Sequence, residues 1–155
     1  MSRVLDSAYA KLRWADEHLN ELKAERDRFI ESEPYSCVKE ANPNPPQYLI
    51  RASINHDVPD HWGLIVGDFA HNARSALDML VQSISTLRRN AKNRRRLEFP
   101  IYTTRIGYTA AIPSQLLGVA ASDVAIIESV QPYKRRSKST DPLFVLQQLN
   151  NADKH

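Results

Sequence analysis

From Leu5 to Phe29, apolar residues recur on alternating steps of three and four: Leu5, Ala8, Leu12, Ala15, Leu19, Leu22 and Phe29, interrupted only by Arg26. This is the period of an α-helix with one apolar stripe, and it predicts a long helix over residues 3 to 31. Such a helix gains most of its stability from packing, so the rest of the chain must supply elements that cover the stripe. The seam therefore points to a helical bundle. A self-associating coiled coil is the lesser reading, because the seam is short and two of its positions are alanine. Pro34, in "SEPYS", ends the helix by biasing the residue before it away from helical geometry.

The next stretch changes period. "YSCVKEA" and "QYLIRASIN" are strand-like, and the proline-dense "NPNPP" between them is a turn, which predicts a β-hairpin over about residues 35–55. Two strands alone are marginal in water, so the hairpin must lie against the helices or extend a sheet with other residues. A central helix is expected from about Asp60, a good N-cap, to Arg89. Val66, Phe69, Ala70, Ala73, Leu77, Leu80, Val81 and Ile84 fall on one broad face of it. Asp68, His71, Asn72, Arg74, Ser75 and Asp78 fall together on the other, while Gly63 and Gly67, one turn apart, permit close approach of another element. "LEFPIY" reads as a short extended piece. Residues 113 to 133 read as a short helix followed by one capped by Ser122, and a last helix starts at Asp141 with Pro142 in its first position. The fold class expected is mainly α (α+β), a helical bundle with an inserted hairpin.

At 155 residues, with 42% hydrophobic and 25% charged residues, the chain has the size and composition of one globular domain. It ends in mid-helix without a capping signal, which suggests a domain over 1–155 truncated at its C-terminus. The single cysteine, Cys37, excludes an internal disulfide and a cysteine-rich zinc site, and its strand-like setting suggests a packing role. No apolar run approaches the roughly 20 residues of a membrane span, and the charged N-terminus is no signal peptide, so a cytoplasmic protein is expected. The net charge of +3 is mild. Two basic loops, Arg88–Arg96 and Lys134–Lys138, are where RNA or another anionic partner would be drawn in.

The runs "IVGDFAHNARSALDMLV", "FPIY", "IESVQPY" and "LQQLNNADKH" follow one another in this order. Together they resemble a widespread group of uncharacterised bacterial proteins with the pattern G-D-x-x-H-N-x-R-S-A-L-D-x-L, then F-P-I, Q-P-Y and L-x-N-x-D-K-H. The resemblance covers nearly the whole chain and carries no established activity. It implies that the chain continues past His155 into further strand-like sequence. Many members of the group have His at the position of Met79, which would complete an Arg-x4-His pattern similar to that of HEPN-type helical ribonucleases. In this chain Arg74 is followed by Met79, and the pattern is broken.

Three readings of the polar helix face compete. The first is a structural network: Asp68, His71, Arg74 and Asp78 stand at spacings where opposite charges pair along a helix, joined by Asn151, Asp153, Lys154 and His155 from the last helix. This reading makes the protein a binding or assembly module. The second is metal-independent RNA cleavage, with His71 and His155 as general base and acid and Arg74 or Lys154 on the phosphorane oxygens. HEPN-type sites are generally composed across a dimer, so this reading also implies a homodimer. The third is a carboxylate–histidine metal site from Asp68, His71, Asp78, Asp153 and His155, which lacks the stronger Glu-x-x-His pairs. His18 reads as a surface residue, and His56 and His61 as part of the loop before the central helix. The structural network is preferred, with no metal and no cofactor.

Overall fold

The computed structural model describes residues 3–43, 46–87 and 96–152. Its elements are α1 (Arg3–Glu31), β1 (Tyr35–Pro43), β2 (Pro46–Ile54), α2 (His61–Ile84), α3 (Arg105–Gln115), α4 (Ala121–Ser129) and α5 (Pro142–Ala152), with a 3-10 turn at Pro132–Lys134 between the last two. The chain is a helical bundle with a hairpin inserted between its first two helices, as the period changes predict. No helix among the described residues is long and apolar enough to cross a membrane.

The α1 seam meets α2 in antiparallel fashion. Ala8 and Ala15 are buried, and their small side chains let the two backbones approach, whereas Leu12 stays exposed. At one end of the pair Glu25 Oε2 lies 2.6 Å from His61 Nε2 and accepts a hydrogen bond from Trp62 Nε1 at 2.8 Å. At the other, Lys11 Nζ donates to Asn72 Oδ1 at 3.1 Å. The hydrogen bond to His61 holds the Glu25 carboxyl below its ordinary value, with Trp62 assisting against the opposing effect of desolvation. His61 is therefore the first residue of α2 and not part of a preceding loop. His18 also departs from expectation: it is half-buried, edge-on to Trp14, with its Nε2 sealed and without a partner among the described residues.

α2 ends at Ile84, the last residue of its apolar face, short of the expected Arg89. Ser85 turns into extended backbone at φ −74° and ψ 135°. The reason is docking on the loop after α3: Thr86 N donates to Gly118 O at 2.8 Å, and Ser85 Oγ to Leu117 O at 2.8 Å. Gly118 has φ +77°, and a Cβ there would stand 3.0 Å from Ser85 Oγ, so the site needs glycine both for its conformation and for space. Asp60 sits in helical backbone and caps nothing with its side chain.

Beyond α2 the core gathers around Val81, Leu97, Phe99, Tyr108, Leu116 and Ile127. The "LEFPIY" segment runs through it without forming a strand, because side chains satisfy its backbone instead of a neighbouring strand. Asp78 Oδ1 accepts from Phe99 N at 2.8 Å. Gln131, fully buried, accepts from Tyr102 N at 3.1 Å and donates to Pro100 O at 2.8 Å and Ile127 O at 3.1 Å. The F-P-I-Y and Q-P-Y runs are thus two halves of one latch. Tyr108 donates to Val124 O at 3.0 Å, and burial pushes its phenol up to about 12.

α3 starts earlier than expected, at Arg105, because the Thr104 side chain accepts from Gly107 N; Pro113 falls inside the helix instead of opening one. The α4 cap position is Ala120, and Ser122 lies within the helix. Asp141 does cap α5 as expected, its Oδ1 accepting from Leu143 N at 2.9 Å and Phe144 N at 3.3 Å.

The hairpin stands apart from this core. Its base is fixed to the end of α1, where Pro34 O accepts from Asn55 N at 2.7 Å and Asn55 Nδ2 donates to Glu33 O at 2.9 Å. Glu33 bridges helix and strand in left-handed backbone, φ +51°. The register pairs Tyr35 with Ile54, Cys37 with Ala52, Lys39 with Ile50 and Ala41 with Tyr48, so these eight share one face. Tyr48, Ile50 and Ile54 are each 71% exposed there, and Cys37 is exposed as well and not packed as expected. The opposite face carries Glu40 and Arg51, whose carboxylate and guanidinium lie 3.3 Å apart.

Candidate polar site between the central and last helices

The polar residues of α2 diverge as the helix turns. Asn72 turns to α1 through Lys11, and its Nδ2 donates to Asp68 O at 2.8 Å. The Asp68 and His71 side chains are exposed. Arg74 and Asp78 turn towards α5 and the "LEFPIY" segment. Their Nη2 and Oδ1 lie 3.0 Å apart, one helical turn from each other, with only 12% of the Arg74 side chain exposed. Arg74 Nη1 also donates to Gln147 Oε1 on α5 at 3.2 Å. Gln147 Nε2 in turn donates to Asn151 Oδ1 at 3.1 Å.

These groups border a cavity of about 180 Å³ that His71, Ser75, Glu98 and Asn150 also line. The chemistry of this arrangement is mixed. One guanidinium faces two carboxylates, Asp78 and Glu98, which leaves no excess of positive charge for an anion. Asp78 already serves two partners, the Arg74 guanidinium and the Phe99 amide, so its carboxylate is committed to holding the fold. His71 lines the cavity from an exposed position, without a second histidine among the described residues of the site. No group of three or more His, Cys, Asp or Glu side chains among the described residues is placed to hold a metal ion.

Of the residues expected at this junction, the structure brings Arg74, Asp78 and His71 to one cavity and connects Asn151 to it through Gln147. Asn72 belongs to the α1 contact. Asp153, Lys154 and His155, and with them the second imidazole of the cleavage reading, lie outside the described residues, as do residues 88–95 of the first basic loop. In the second basic loop Lys134 Nζ lies 3.2 Å from Glu128 Oε1, and Arg135 Nε lies 3.7 Å from Asp141 Oδ2. The Glu128 carboxyl is held below its ordinary value by hydrogen bonds from Tyr133 and then Lys134.

Gln147, Asn150 and Glu98 complete the site without having been singled out in the sequence. Asn150 is buried whereas its neighbour Asn151 is exposed. Helical spacing from Asp141 was the available signal: Leu143, Gln147 and Asn150 fall on three- and four-residue steps of one face. Searches for a matching family model, a similar curated protein or a similar solved structure each return no match.

Proposed function

We propose that this chain is a binding and assembly module whose polar α2–α5 junction is architecture and whose working surface is the hairpin. The observation that carries the reading is the hairpin's apolar face, with Tyr48, Ile50 and Ile54 each 71% exposed. A sheet face of that composition is costly to leave in water, and exposed apolar patches of this kind mark interaction sites.

The occupant is a second copy of the chain. The face bears no carboxylate, and its one charge, the Lys39 ammonium, lies 3.8 Å from the centre of the Tyr48 ring, so the face meets itself without a large like-charge penalty. Nine paired residues make a face about 30 Å long. A patch of that length and two strands' width belongs with the small interfaces of weak, concentration-dependent association. The Arg74 cluster supports the architectural half of the reading, because its guanidinium is paired and little exposed and two carboxylates border the same cavity.

Sedimentation velocity over a concentration series tests the proposal. The wild-type chain should pass from monomer to dimer below ~1 mM, and Ile50→Glu/Ile54→Glu should remain monomeric with an unchanged thermal melt. A wild-type chain that stays monomeric throughout, or a double variant that dimerises equally well, would reject self-association through the hairpin.

A further inference from the structure

A cavity of about 630 Å³ opens between α1, the first turns of α2 and the end of α5, and no residue of the hairpin lines it. The Gly63–Gly67 pair, which the sequence marks as a place of close approach, forms part of its wall. A Cβ at Gly63 would meet no other atom within 4 Å, so the described residues leave that approach unfilled. Leu19, Val66 and Leu149 make the rest of the wall apolar, and Trp62 adds an aromatic ring. The volume lies within the range of small-molecule sites.

Charge gives the occupant its sign. Two cations line the cavity, Lys23 and Arg26, and no carboxylate does so among the described residues. Arg26 shares its guanidinium with Asp27 at 2.6 Å, a carboxylate outside the lining. The Lys23 ammonium is exposed and makes no ion pair among the described residues. The other acids of this part of α1 are engaged elsewhere: Glu21 lies 3.6 Å from His18 Nδ1, and Glu25 serves His61 and Trp62. One ammonium without a counter-charge therefore stands at the edge of an apolar wall. From Leu19 to Arg26 that wall follows two turns of α1, about 10 Å, the reach of a short alkyl chain.

We infer that the cavity binds a small monoanionic amphiphile, a medium-chain carboxylate. Its head faces Lys23 and Arg26, and its alkyl chain lies along Leu19, Val66 and the bare backbone of Gly63. Burial of the chain supplies the affinity, and the charge-assisted bond to the ammonium sets its direction. A polyanion would bring more charge than one free ammonium answers, and a neutral chain would gain nothing from it.

The fluorescence of Trp62 tests the inference. Trp14→Phe leaves Trp62 as the sole tryptophan, so emission reports on the cavity wall, and every titration uses that background. Octanoate should shift the emission to saturation below ~1 mM. Octan-1-ol should bind about tenfold more weakly, and octyltrimethylammonium should have no effect. Lys23→Gln should weaken octanoate about threefold and Lys23→Gln/Arg26→Gln about tenfold, each leaving octan-1-ol unchanged. Gly63→Leu, which puts a good helix former into the open space, should abolish binding of both without lowering the thermal melt. No saturable response to octanoate, equal affinity for octan-1-ol or for the cation, or undiminished affinity in the double charge variant or in Gly63→Leu would overturn the proposal. Emission that moves with protein concentration and not with octanoate would assign the cavity to a second copy of the chain, and would overturn it as well.

Discussion

Around Gln131 and Asp78 the backbone of an irregular segment is held by side chains, whereas earlier in the chain the hairpin leaves an apolar face to solvent. Both regions are built from extended, non-helical backbone. In the first, a buried amide and a carboxylate take the place of a neighbouring strand. In the second, each strand has only the other as its sheet neighbour, and apart from the edge-on contact of Tyr35 with Phe29 the large apolar side chains of one face stand exposed. The contrast separates a region whose polar groups are used up in holding the fold from one whose apolar groups remain free to bind.

Substitutions should break the two regions differently. Gln131→Leu leaves the Tyr102 N–H and the Pro100 carbonyl buried without partners, and should cost about 3–4 kcal/mol in urea denaturation. A loss under ~1 kcal/mol would show that the latch is incidental. Asp78→Ala removes the partner of both Phe99 N and Arg74, and should cost about 2–3 kcal/mol, less than a fully buried pair because the site is partly open. At the base of the hairpin the effect is smaller and favourable. Glu33→Gly relieves left-handed backbone and should raise stability by about 0.5–1 kcal/mol in the same measurement. A loss on that substitution would show that the Glu33 side chain contributes more than its conformation costs.

The clasp between α1 and α2 offers a test by pH. The folded Glu25 carboxyl titrates below its value in the unfolded chain, so its contribution is present above the unfolded value and is lost as pH falls through the folded one. Wild-type stability should therefore decline more steeply than that of Glu25→Gln below about pH 4.5. Parallel acid limbs would remove Glu25 from the account.

How much of this is legible in the sequence depends on whether a residue acts through period or through a single bond. α1 and the hairpin were readable to within a residue or two, because a repeated step and a proline-rich turn involve many positions at once. The Arg74–Asp78 pair was readable from its four-residue spacing. The ends of α2 and α3 were not, since they are set by Gly118 and Thr104 meeting groups far away or one turn on. Gln131 stood inside a quoted motif without a role: an uncharged amide announces no chemistry, and only the fold reveals that its three partners are backbone atoms from two other places in the chain. Gln147 and Asn150 were overlooked for the same reason.

The span of the Gln131 latch has a consequence in time. Its bonds to Tyr102 and Pro100 join positions 29 and 31 residues apart, while the hairpin ladder begins with a pair as near in sequence as Pro43 and Pro46. Closing the longer loop must be completed before the amide gains its partners, so the latch belongs to the late side of the folding barrier. Its loss then acts on the lifetime of the folded chain more than on the speed with which it forms.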